Sequence, residues 1–162
     1  MRYTSMAVWH TTRMVRFEMS AIQNLVQDSL TAIANCIESD QDFKASSADE
    51  QVVFSLLSSD DPDQAVLVSI DHGKATVSLD EASMAVFGLL ANPEQWQAFF
   101  AEHLVRPYQS FWGMLRVIGD QGGVKVTGDK VRFGKSARIW RIVLDRARVN
   151  ILSRVTCKLE PY

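Results

Sequence analysis

Apolar side chains recur along this chain with two different periods, and the switches between them mark out its elements. From Ser20, the residues Ile22, Leu25, Val26, Leu30, Ile33 and Ile37 fall on one helical face, with Ser20 and Gln23 at capping-box spacing. The pattern predicts one helix ending near Glu38. The polar stretch SDQDFKASSADE (39–50) then separates it from QVVFSLL (51–57), whose β-branched and aromatic content predicts a strand. DDPD (60–63) reads as a turn. AVLVSI (65–70) and KATVSL (74–79) are joined by DHG, with Gly73 available for a positive φ, and predict a β-hairpin with His72 at its tip. ASMAVFGLL (82–90) is either a fourth strand or a buried helical turn, which periodicity cannot separate in so short a run.

The second half changes character. NPEQWQAFFAEHL (92–104) opens with Asn92 as N-cap and Pro93 at the first helical position, then aligns Trp96, Phe99, Phe100 and Leu104 on one stripe. VKV (124–126) reads as a strand. In SARIWRIVLDRARV (136–149), Ile139, Trp140, Val143, Leu144 and Ala147 recur at helical spacing, while Arg141 and Asp145 sit four apart on the outside. The tail NILSRVTCKLEPY (150–162) either extends this helix or adds a strand. With no long linker, the expected organisation is an N-terminal extension over 1–19 and one α+β domain over 20–162.

The stretch PYQSFWGMLRVIGDQGG (107–123) is where candidate chemistry concentrates. Its glycines do not have the GxGxxG spacing of a dinucleotide fold. Gly123 and Gly128 stand at Walker spacing, but Asp129 occupies the place of the phosphate-gripping lysine and would repel the ligand. A different regularity is present: Arg116-Val117-Ile118-Gly119-Asp120 recurs nine residues later as Lys125-Val126-Thr127-Gly128-Asp129. Each copy reads as a short strand ending in a Gly-Asp turn.

On these residues the chain resembles the sterol carrier protein type 2 family of small lipid-binding domains. In that family a strand of the form glycine, basic, aliphatic, basic, aliphatic, any residue, glycine, Asp/Asn leads into the last helix. GMLRVIGD (113–120) and GGVKVTGD (122–129) both approach it, with Met114 and Gly123 standing where the first basic residue belongs. The second copy is the better register, because a helix can follow it by about Ser136, whereas the first leads into more glycine and another strand. The order of elements extends the resemblance over roughly residues 20 to 147.

The resemblance implies a mostly antiparallel sheet with helices packed on one face, enclosing an apolar tunnel for a sterol, fatty acyl chain or isoprenoid-type ligand. It brings no catalytic chemistry with it. The expected ligand-binding residues are Trp96, Phe99, Phe100, Tyr108, Phe111, Trp112, Met114 and Trp140, which concentrate aromatic and soft side chains as ligand pockets do, and as ordinary cores also do.

Charge and chemistry refine this picture without overturning it. The net charge of −2 is unevenly spread: residues 1–103 hold 5 Lys/Arg against 15 Asp/Glu, and residues 104–162 hold 12 against 4. Two complementary surfaces, or a basic face for an anionic head group, both fit this division. Cys36 and Cys157 have no metal-ligand or disulfide-framework spacing, and no cofactor or metal is indicated. His10, His72 and His103 form no HxH or HExxH pattern, and GxSxG is absent. His103 beside Glu102 reads as a helix C-terminal residue or as a general base facing the pocket. A nucleic-acid partner and stable membrane insertion are not expected. No run approaches the roughly 18 apolar residues of a spanning helix.

A small pocket enzyme of the cyclase, isomerase or dehydratase kind and an accessory subunit of a lipid-modifying enzyme stay open as alternatives, as does a homodimer. Location is expected to be cytoplasmic. The Arg- and Ser/Thr-containing start, with no acid before Glu18, also has the look of a mitochondrial presequence.

Overall fold

A computed structural model describes residues 19–158, so the expected extension lies outside the described residues except for Met19. The first helical run is not continuous. It forms α1 (Ala21–Val26) and α2 (Leu30–Ser39), divided by a 3-10 turn at Gln27–Ser29. The division lets α1 pack on the strand Asp61–Asp71 while α2 reaches the strand Lys74–Glu81 and the last helix. Gln23, read as half of a capping box, accepts from the Ser20 N–H at 3.2 Å and also donates to the Ala65 carbonyl at 3.1 Å, tying the helix start to the sheet.

The polar stretch after α2 is a helix, α3 (Gln41–Ser47). Asp40 starts it by accepting from the Phe43 N–H at 2.9 Å, and Phe43 is wholly buried. A seven-residue helix anchored by one apolar side chain shows no periodicity, which is why the residue pattern shows only a polar separator there.

Five strands form one sheet in the order β3-β2-β1-β4-β5, from β1 (Gln51–Ser58), β2 (Asp61–Asp71), β3 (Lys74–Glu81), β4 (Phe87–Ala91) and β5 (Lys125–Gly128). The hairpin turn has His72 at φ 48° and Gly73 at φ 81°, the pair of positive values that a two-residue type I′ turn needs. The DDPD turn is shorter than expected, since β2 already begins at Asp61.

The run that periodicity left open divides into a 3-10 turn at Ala82–Met84 and β4, which lies parallel to β1 and pairs Phe54 with Phe87 and Leu56 with Leu89. The remaining pairings are antiparallel, so the sheet is mixed, mostly antiparallel. A parallel neighbour requires a crossover. Here it is the 3-10 turn Ala82–Met84, whose Ala82, with Ala85, packs on Leu57, Ala65, Leu67 and Leu90 on the sheet's second face.

On the first face, Phe54, Leu56, Val66, Val68, Ile70, Phe87 and Leu89 meet the helices. These are α4 (Pro93–Phe99), α5 (Phe111–Ile118), α6 (Lys130–Lys135) and α7 (Ala137–Lys158), together with α1 to α3. Within the described residues the tail continues α7 as far as Lys158. No described helix is long and apolar enough to cross a membrane.

Candidate functional site

Asn92 and Gln95 cap α4 reciprocally, each side-chain oxygen accepting the other's backbone N–H at 2.8 and 2.9 Å. The helix stops at Phe99, five residues short of the expected end. The Phe99 carbonyl accepts instead from Arg148 Nε of α7 at 2.8 Å. His103 therefore stands exposed in the connecting loop and not at a helix end facing a pocket.

The loop closes onto α5 through Gly113. A Cβ there would lie 2.7 Å from the Pro107 carbonyl, so the missing side chain makes room for backbone. Ser110 caps α5 by accepting from Gly113 N at 3.0 Å. The first copy of the repeated pentad, read as a strand, is the end of this helix and the following 3-10 turn Gly119–Gln121. Phe111, Met114 and Ile118 sit at helical spacing against the core, and this outweighs the local β-branched content.

The second copy is a strand, and its Gly-Asp pair has two separate tasks. Gly128 adopts φ 71°, and a Cβ on it would come 2.5 Å from the Val86 carbonyl, so only glycine lets β5 approach β4 there. Asp129 then starts α6 at once, accepting from the N–H groups of Val131 and Arg132 at 2.9 Å each. The helix begins six residues earlier than Ser136, which instead falls between α6 and α7.

All eight expected site residues belong to one aromatic cluster or touch it, and they differ in burial. Trp96, Phe99, Phe100, Phe111, Met114 and Trp140 are buried, and Tyr108 is partly buried against them. Trp96 stacks on Phe100 and Phe111 at 6.0 and 5.7 Å and donates Nε1–H to the Leu57 carbonyl at 2.7 Å. Trp140 meets Phe111 edge-on, stacks on Phe133 at 5.0 Å and donates Nε1–H to the Phe133 carbonyl at 3.1 Å. Trp112 is the exception. It stacks on Phe133 at 5.9 Å yet is 42% exposed, standing at the solvent end of the stack.

Two concavities flank this stack. One, of about 140 Å³, is lined by Phe99, Phe111, Trp140 and Leu144 with Gln109, Ser110, Arg141 and Asp145 around it. The other, of about 380 Å³, lies between α5, β5 and α6 and is walled by Leu115, Val124, Val126 and Phe133, with Lys125, Lys130 and Asp120 at its margin. The larger one falls within the roughly 300–1,000 Å³ that small-molecule sites occupy. A further cleft of about 400 Å³, lined by Asp42, Arg138, Arg141, Ile142 and Asp145, has charged walls unsuited to an apolar guest.

Phe133, Leu115, Val124 and Val126 were not among the expected site residues. Phe133 lies in the polar context KVRFGKS, and the signal that could have found it is its place four residues after Asp129, on the inner face of the helix that this cap begins.

The described residues hold no cluster of His, Cys, Asp and Glu able to bind a metal. Of the basic residues near the cleft, Arg132 is committed elsewhere, with Nη2 3.1 Å from Glu50 and also donating to the Gln51 carbonyl.

No family model and no curated protein matches the chain. Solved structures do. A crystal structure of sterol carrier protein 2 superposes with a TM-score of 0.54 at 17% identity, over 75% of this chain and 94% of that one. The solution structure of a conserved hypothetical protein from Thermus thermophilus, described as a sterol carrier protein candidate, gives 0.56 at 16% identity over 76% and 86%. The ubiquinone synthesis protein UbiJ-SCP2 gives 0.47 at 12% identity over 90% of this chain and 100% of that one. The mixed five-stranded sheet with helices on one face is thus the sterol carrier protein 2-like fold.

Proposed function

We propose that this protein binds a hydrophobic ligand, of the sterol, fatty acyl or isoprenoid class, in the cleft between α5, β5 and α6. The observation that carries the reading is the composition of that cleft: about 380 Å³ walled by Leu115, Val124, Val126 and Phe133, with two lysines at the margin. Apolar walls give affinity by removing hydrocarbon from water, at roughly 25 cal/mol per Å² buried, and the lysines favour an anionic end left at the mouth. Trp112 stands over Phe133 at the solvent end, where an indole can close upon a bound chain. Of the buried aromatic cluster, Phe133 forms part of the cleft wall.

Titration of a fluorescent fatty-acid probe and of ATP, side by side, tests the reading. Saturable probe binding without ATP binding is the expected result. ATP binding without probe binding would reverse it. Leu115→Trp, which fills the cleft from α5, should abolish probe binding while the thermal melt stays cooperative.

A further inference from the structure

The lips of the cleft bring exposed apolar side chains and exposed cations together. Trp112 and Arg116, four residues apart on α5, share one helical face, and Leu115 of the same helix lines the cleft beside them. Across the cleft, α6 contributes Lys130 at the margin, with Val131 67% exposed and Lys135 exposed beyond it. Lys125 adds a further exposed cation from β5. Arg116, Lys125, Lys130 and Lys135 form no ion pair among the described residues, whereas Arg132 and Arg138 are committed to Glu50 and Asp42. Two acids lie nearby. Asp129 is occupied at the start of α6, and Asp120 sits at the cleft margin.

We propose that these lips form a docking surface for an anionic lipid bilayer, with Trp112 and Val131 inserted at the headgroup level and Arg116, Lys125, Lys130 and Lys135 facing the acidic headgroups. The placement of these cations favours this occupant. Within the basic part of the chain, Arg138 and Arg146 are paired with Asp42 and Asp40 and Arg148 is buried, whereas the four cations at the lips are exposed and outside any ion pair among the described residues, so attraction to an anionic surface acts through this face. An indole and an aliphatic side chain standing singly among cations suit an interfacial layer, where amphipathic rings settle and lysine stems reach to the phosphates. A protein partner would call for a continuous apolar centre with the charges moved to its rim. Phosphates of a nucleic acid would leave Val131 with nothing to bury against. Docked this way, the cleft opens onto the acyl region, but the docking itself does not depend on the cleft holding a ligand.

The test uses the full chain with phosphatidylcholine vesicles, prepared with and without phosphatidylserine, by co-sedimentation at rising salt. Binding is expected only with phosphatidylserine, weakening as salt rises. Lys125→Gln/Lys130→Gln/Lys135→Gln should weaken it by roughly fivefold per lysine removed. Brominated lipids should quench tryptophan emission in the parent protein and much less in Trp112→Phe. Should the triple variant lose its cooperative melt, the single charge reversal Lys135→Glu replaces it. No binding, equal binding to neutral vesicles, or unchanged binding by the charge variants would each overturn the proposal. So would binding to polyglutamate without binding to vesicles, which would give the surface to an acidic protein. Probe titration without vesicles reads the ligand site separately, so either proposal can fail while the other stands.

Discussion

The guanidinium of Arg148 lies 3.8 Å from the centre of the Phe99 ring, and its Nε donates to the carbonyl of the same residue at 2.8 Å. Its other two nitrogens donate to the carbonyls of Gln109 and Tyr108 at 3.1 Å each. One buried side chain of α7 thus ends α4, holds the far end of the loop that follows, and sets the approach to α5. Removing it strands three carbonyls, each costing about 1–3 kcal/mol when left buried and unpaired, with water recovering part of the loss. We expect Arg148→Ala to lower stability by about 2–4 kcal/mol in urea titration. Arg148→Lys should recover little, because one ammonium cannot span three acceptors. A loss below about 1 kcal/mol would show that the loop is held by other contacts.

Asp40 makes stability depend on acid pH. The Phe43 N–H, and then the bond and charge of Arg146, hold its carboxyl below the ordinary 3.8, against an opposing effect of burial. A carboxyl with a lower value in the folded than in the unfolded state contributes stability that is fully present above the unfolded value. That contribution is lost as pH falls through the folded one. Urea stability measured from pH 6 downwards should therefore fall below about pH 4, and Asp40→Asn, which keeps a capping oxygen, should flatten that fall. Asp40→Ala should cost about 1 kcal/mol more than Asn at neutral pH through the lost cap. Parallel acid profiles for the parent and Asn proteins would assign the acid sensitivity to other carboxylates.

Trp112 and Trp140 share the Phe133 stack but differ in burial, being 42% and 0% exposed. Trp140→Ala should cost about 3–5 kcal/mol, as truncation of a buried indole does, and sharply lower the melting temperature. Trp112→Ala should cost much less and weaken fatty-acid probe binding. If both variants melt alike, or if Trp112→Ala keeps full probe affinity, the ligand wall must be sought elsewhere around the cleft.

Lys125 and Lys130 at the cleft margin predict different salt responses for different ligands. Carboxylate ligands should bind more weakly as ionic strength rises, because exposed charges are screened beyond about 10 Å at 0.1 M salt, while neutral sterols should be indifferent. Isothermal titration across a salt series reads this directly. Arg132→Gln should leave the salt slope unchanged, since its guanidinium is held by Glu50 and Gln51, but should lower stability slightly. An equal slope for sterol and carboxylate would remove the lysines from head-group recognition.

Much of this architecture was legible in the residues wherever the deciding forces act over a few positions. Strand alternation with a His72-Gly73 turn determined the β2–β3 hairpin, Asn92-Pro93 determined the start of α4, and the Gly128-Asp129 pair marked the passage from β5 to the last helices. Each is a backbone preference or a cap, local in sequence. What only the tertiary structure decided depends on residues far apart in the chain. Pairing of β4 beside β1 made a short apolar run a strand, and Arg148 cut α4 short from 49 residues away. Packing filled the interlayer space with the aromatics that looked like pocket lining. Phe99, Phe111 and Trp140 still line the smaller concavity, while the larger one lies beside Phe133, Leu115, Val124 and Val126. Side-chain type shows that a residue prefers to leave water, whereas the choice between core and cleft is made by which neighbours arrive to cover it, and those neighbours come from other elements.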